Sequence, residues 1–545
     1  MRNMLLASIL STAVTLAAGA PLLAGGSAGG APAGPAPVFG TADVCFACHT
    51  GVITPSGRDL SFGNQWRTTM MANSARDPYW MAGVRREITD HPSHQAAIED
   101  ECSACHMPMA RYLAKAAGGQ GAVFANLPVG QAAAAHAPLA ADGVSCTLCH
   151  QMSAAGLGQR STFTAGFGID VPAAGAAPLV HGPFDVDAGR RRIMLSSSGY
   201  APARGAHLSE SGICASCHTI ITASLGPNGE AVGELPEQVP YLEWEHSAYA
   251  GTQSCQSCHM PPEAEPTALT PVLGDPRPAV SAHTFLGGNA LMMRIFNRYR
   301  GELGVAALPE ELDAAARRTE AHLAAESATL EVSAARADGG HLVADVAVVN
   351  RTGHKLPTAY PSRRAWLHVA VRDRNGAVVF ESGAVSPDGR IVGNDNDTDA
   401  ARFEPHYDEI TSGDQVQVYE PILGDPAGAV TTGLLTAVSY LKDNRLLPQG
   451  FDKRTAPKEV AVHGSASADV NFAGGGDRVR YAVDVSGATG PFTVSVRLYY
   501  QSIGYRWAKN LAGRTDAESN RFTRYYNAMV AGSAVVLAES STRAE

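Results

Sequence analysis

Five times between residues 45 and 259 the chain repeats Cys-x-x-Cys-His, and these units use all ten of its cysteines. They are Cys45/Cys48/His49, Cys102/Cys105/His106, Cys146/Cys149/His150, Cys214/Cys217/His218 and Cys255/Cys258/His259. Ten cysteines in an exported chain also fit five disulfides. Neither a disulfide nor a zinc site, however, needs a histidine directly after every second cysteine. Cys-x-x-Cys-His is the attachment signal of a c-type haem. The two thiols add across the haem vinyl groups, and the adjacent histidine takes the proximal position on the iron. The sequence therefore predicts five covalently bound c-type haems, with the ten cysteines as anchors and the five histidines as proximal ligands. Successive first cysteines are only 57, 44, 68 and 41 residues apart. Segments this short do not bury cores of their own. The haems are expected to be the core, packed closely enough to conduct electrons.

No cysteine follows Cys258, so the chain divides into two chemically different halves. The net charge of -10 argues against nucleic-acid binding, which needs a basic face. Lys115 is the only lysine before residue 300, whereas arginines are common there. The arginine fork suits haem propionates, although most of these arginines individually read as solvated surface. The N-terminus reads as a secretory signal peptide over residues 1–28: Arg2, an apolar run from Met4 to about Ala20, then small residues. A Gly/Ala/Pro-rich lead-in follows over 29–40. No other apolar run is long enough for a span, so no integral span is expected in the mature chain. The expected location is the periplasm, with the outer surface as the alternative.

Twelve of the 18 histidines lie between His49 and His283. Removing the five proximal ones leaves His91, His94, His136, His181, His207, His246 and His283. A second histidine makes an iron six-coordinate and suited to electron transfer, a methionine raises its potential, and an open position admits substrate. His136 and His207 sit just upstream of haem units, and His283 lies beyond the last one. These three are the leading distal candidates, ahead of His94, His91 and His246, with His181 last. Met71, in Trp66–Pro78, is a candidate thioether ligand, read equally well as an adaptable core residue. Each histidine also reads as an ordinary surface or propionate-contacting residue.

The second half changes period. Helices are expected at Gly288–Arg300 and from Pro309 to about Ala328, the latter opened by Pro309 and acidic residues. Alternation then predicts strands at Thr329–Arg336, His341–Asn350, Ala365–Arg372, Ala377–Ser382, Gln415–Tyr419, Gly433–Leu441, Glu459–His463, Arg478–Val485, Phe492–Tyr500 and Ala534–Leu537, with a helix near Glu518–Asn527. This is the pattern of an antiparallel β-sandwich. Two loops stand out. His354, between Gly353 and Pro357, is in position to reach back to a haem, or is a structural loop histidine. Asp395-Asn396-Asp397-Thr398-Asp399 resembles part of a calcium loop, but the twelfth position is His406 where glutamate is required.

The motifs resemble those of multihaem cytochromes c of the hydroxylamine oxidoreductase-like superfamily. The likeness rests on Cys105-His106-Met107-Pro108, Cys258-His259-Met260-Pro261, the Trp66–Pro78 segment and Gly353-His354-Lys355-Leu356-Pro357-Thr358. It covers roughly Cys45 to Val371. It implies an exported α+β multidomain protein that shuttles electrons between donor and acceptor redox proteins. Some family members act on small nitrogen or sulfur compounds. No Cys-x-x-Cys-Lys unit is present, and there are five units rather than eight, so neither nitrite reduction nor hydroxylamine oxidation carries over. A multihaem oxidoreductase with one open haem is the alternative function, and a subunit of a conductive surface complex or filament is another. The expected layout is a mainly α/irregular pentahaem domain over 41–300, a helical bridge over 301–328 and a β-sandwich over 329–545.

Overall fold

The computed structural model describes residues 38–173, 175–226, 229–338 and 340–545, the side chains of 334–338 excepted. The signal-peptide reading lies outside these residues. Among them, no helix is long and apolar enough to cross a membrane.

The first half is built from short helices and irregular chain. The Cys-x-x-Cys-His units fall on helical turns, such as Asp43–His49, the end of Gln95–His106, and Cys255–His259. A helical turn brings positions i, i+3 and i+4 to one face, so both sulfurs and the imidazole point the same way. The Pro78–Asp90 helix starts where it does because Asp77 accepts hydrogen bonds from the Tyr79 and Trp80 amides and Pro78 occupies the first turn. This half also holds strand pairs the sequence pattern missed: Leu179–Gly182 runs parallel to Ala201–Arg204, and Ile220–Leu225 antiparallel to Ala231–Gln238.

The expected helices appear as Ala290–Arg298, capped by Asn289, and Pro309–Glu326, where the Glu311 carboxylate accepts from the Leu308 amide. Two sheets follow. The four-stranded sheet runs Glu409–Ile410, Gly476–Asp484, His341–Asn350, Ala328–Asp338. The five-stranded sheet runs Val378–Ser382, Arg364–Arg372, Phe492–Gln501, Val535–Ala544, with Val418–Tyr419 paired to Arg364–Arg372. Register places Val479 opposite Val346 in one sheet and Val496 opposite Val369 in the other. The alternating buried residues of both sheets, among them Val346, Val369, Tyr481 and Val496, form one core. This is what period two produces when each sheet has one apolar face.

Two expected strands fail. Glu459–His463 is a single 3-10 turn, Lys458–Val460, that follows Pro457 and buries only Val460. Gly433–Leu441 is strand only from Ser439, because the Leu434 and Leu435 amides bond to Glu87 in the first half instead of a neighbouring strand.

Candidate cofactor-binding site

All five Cys-x-x-Cys-His units line one continuous, mainly apolar cavity of about 1620 Å³. Sequence order is not spatial order along it. The Cys45 sulfur lies against Cys146, Cys105 against Cys217, and Cys214 against Cys255. The fourth unit thus adjoins the second and the fifth, and the first adjoins the third. Within the first unit, Phe46 packs on Gly63, where a Cβ would sit 2.5 Å from its ring.

Four of the five imidazoles beside the cysteines are held by backbone. Nδ1 of His49 meets the Leu269 carbonyl at 2.9 Å, that of His106 the Ser74 carbonyl at 3.0 Å, and that of His150 the His181 carbonyl at 2.6 Å. His259 bonds the Leu286 carbonyl in the same way. A carbonyl acceptor keeps the proton on Nδ1 and leaves the Nε2 lone pair free for a metal. Burial favours the neutral ring as well, pushing His106 and His218 down to about 4. Trp80 stacks flat on His106, with centroids 4.3 Å apart and planes 3° from parallel.

Two further imidazoles face these across the cavity. His283 stands 6.4 Å from His150, centroid to centroid, with planes 8° apart. His354 stands 6.2 Å from His259, with planes 14° apart. Direct stacking brings rings closer than this. Two imidazoles on opposite sides of one iron, each with a metal–nitrogen bond of about 2.0 Å, place their centroids roughly 6 Å apart. Burial pushes both His283 and His354 down to about 4, so their lone pairs are available. These rings therefore fit an iron between them, and the apolar wall fits a porphyrin.

The other sequence candidates are placed differently. Met71 lines the cavity beside Met70. His207 is buried outside the cavity lining, with Nε2 on the Met152 carbonyl at 3.0 Å. His136 precedes helix Ala137–Ala141, half-buried and away from the lining. His94 bonds Ser93, His91 faces Thr436, and exposed His246 bonds the Leu242 carbonyl; none of the three lines the cavity. Two lining histidines carried little or no weight in the sequence. His181 donates from Nε2 to Asp170 at 3.0 Å, and its buried Nδ1 has no partner among the described residues. His322 lies on the Pro309–Glu326 helix. No spacing marks either residue, because both reach the cavity through tertiary packing. Of the arginines, Arg86, Arg351 and Arg363 reach the lining.

The calcium reading is corrected. Asp397 is spent on Arg364, at 2.7 and 3.0 Å, and on the Ile391 amide at 2.7 Å. Asp395 pairs with Arg402, and the run forms a short helix, Asp395–Thr398, rather than a converging loop. His406, Asp408 and Asp469 cluster nearby. There the Gln417 and Asn444 amides both donate to His406 Nδ1, while their own oxygens hold the Tyr407 and Glu420 amides. His406 Nε2 therefore carries the proton, donates it to Asp469 at 2.9 Å, and offers no lone pair to a metal.

No family model matches this sequence, and no curated protein matches it. Among solved structures it is similar to the crystal structure of a penta-heme cytochrome c552 from Thermochromatium tepidum, with TM-score 0.51 and 16% identity, over 93% of this chain and 99% of that one. At that identity the likeness is one of fold.

Proposed function

We propose that the chain is an exported c-type cytochrome carrying five covalently bound haems, which passes single electrons between donor and acceptor redox proteins. The carrying observation is the pair of facing imidazoles, His150/His283 and His259/His354, on a cavity that also collects all five Cys-x-x-Cys-His units. Bound haem supplies a one-electron iron couple, and histidine on both sides keeps that iron low-spin and closed to substrate. The cysteines would anchor each group, backbone carbonyls orient four of the proximal rings, and His283 and His354 would take the positions opposite His150 and His259. Haems held by these units would adjoin where the sulfurs do, second with fourth, fourth with fifth and first with third. The fold likeness to a penta-heme cytochrome supports this reading, and the Cys-His-Met-Pro motifs support placement in the hydroxylamine oxidoreductase-like superfamily. The β half is read as a sandwich that closes the cavity. Intact mass of the purified mature protein tests the proposal: five bound haems are expected, and any other number refutes it.

A second reading is supported at the second unit. Trp80 stacks on His106, and among the described residues no imidazole stands parallel to His106 as His283 does to His150. The lining there includes Tyr79, Tyr360, Arg86, Glu87 and Glu237. Were a haem held there to keep an open position, this polar wall would suit turnover of a small nitrogen or sulfur compound. Carbon monoxide binding to the reduced protein favours this reading, and a fully low-spin, unreactive protein removes it.

A further inference from the structure

We propose that Lys355, Asp443, Arg445 and Glu243 are positioning residues that hold His354 on the fifth haem, so that ligation of this iron depends on the docked β half. The proposal rests on the reading of His354 as an axial ligand.

His354 leaves the end of strand His341–Asn350 in a loop pinned by its own backbone. The Asn350 side-chain amide and the Thr352 hydroxyl donate to the His354 carbonyl, at 2.9 and 2.8 Å. The ring is set by the next peptide: His354 Nδ1 donates to the Lys355 carbonyl at 2.9 Å. Whatever fixes Lys355 therefore fixes the imidazole. Lys355 is fully buried. Its amide donates to Glu243 at 3.1 Å, and its ammonium donates to Asp443 at 2.6 Å and to the Ala461 carbonyl at 3.1 Å. Arg445 grips both oxygens of Asp443, at 2.8 and 2.7 Å, and reaches Glu243 at 2.9 Å. Thr358, further along the same loop, also donates to Glu243.

The result is a chain of two cations and two anions, none more than 5% exposed, closed into a ring by the bond from the Lys355 amide to Glu243. Glu243 belongs to helix Pro240–Glu245, between the fourth and fifth Cys-x-x-Cys-His units, and Asp443 ends strand Ser439–Asp443 of the β half. The ring therefore spans both halves through the loop that carries His354. Leu356 and Leu446 exchange backbone hydrogen bonds beside it, at 2.9 and 3.0 Å. Four ions buried at this depth are costly to desolvate, and hydrophobic residues of the same volume often serve stability as well or better. Their placement behind the axial histidine gives them a task beyond stability.

Removing one ion leaves its partner buried and unpaired, so the informative variant is the neutral pair Lys355→Met/Asp443→Asn. It is compared with Glu243→Gln and His354→Ala by haem count, electron paramagnetic resonance and carbon monoxide stoichiometry of the reduced protein. The expected result keeps five haems in each variant. One low-spin signal turns high-spin, and one further carbon monoxide binds per chain. An unchanged spectrum in both the neutral pair and Glu243→Gln, with His354→Ala changed, overturns the positioning role alone. An unchanged spectrum in His354→Ala overturns the ligand reading beneath it.

Discussion

His283 and His246 are both histidines following a haem unit, yet one is buried facing His150 and the other is exposed on the Leu242 carbonyl. Identity alone does not mark an axial candidate; a parallel imidazole roughly 6 Å away, the spacing of two rings on one iron, does. Replacing His283 with alanine should open the third iron. The expected readout is a new high-spin signal and carbon monoxide binding on reduction, with haem content unchanged. Replacing His354 with methionine exchanges imidazole for thioether and should raise one of five midpoint potentials, read by spectroelectrochemical titration. Asp443 gives a pH prediction. Burial alone raises its carboxyl, but Arg445 and Lys355 hold it well below the usual carboxylate range. A depressed folded value means the stabilisation is complete above the unfolded value of about 3.9 and is lost as pH falls below it. Stability against urea should fall as pH drops below about 4 toward 2, with a shallower slope in Asp443→Asn.

Among elements, those with local signals were legible and those defined by a distant partner were not. The Pro309–Glu326 helix follows from its proline, its first-turn acids and its periodicity, and strand His341–Asn350 from strict alternation. Glu459–His463 alternates as well, but five residues carry too little pattern to separate a strand from a loop anchored by one valine. The turn at 432–435 was invisible because its partner is the Pro78–Asp90 helix. Arg86 donates to the Thr432 carbonyl and hydroxyl, and Glu87 accepts from the Leu434 and Leu435 amides. Glu87→Ala leaves two largely buried amides unpaired. It should cost about 1–3 kcal/mol, measured by chemical denaturation, with all five haems retained.

Over the whole molecule, the cysteine-free half is part of the haem site. It contributes His354, Tyr360, Arg363, Leu435 and Trp507 to the cavity wall. A chain ended after Glu326 keeps every attachment unit but loses His354. It should carry five haems by mass and show one more high-spin iron than the full chain. Equal spin-state counts in the two would make the β half irrelevant to ligation. The sequence by itself determined the chemistry of attachment, because two thioethers and a proximal histidine are written into five consecutive residues and a single helical turn aligns them. It also determined most of the strands, which follow from period two. Only the tertiary structure decided which of many histidines face the proximal imidazoles, which units adjoin, and that a loop between two β-strands reaches the last unit. Those relations join residues far apart in the chain, and proximity of that kind depends on how helices, sheets and a shared apolar cavity pack together.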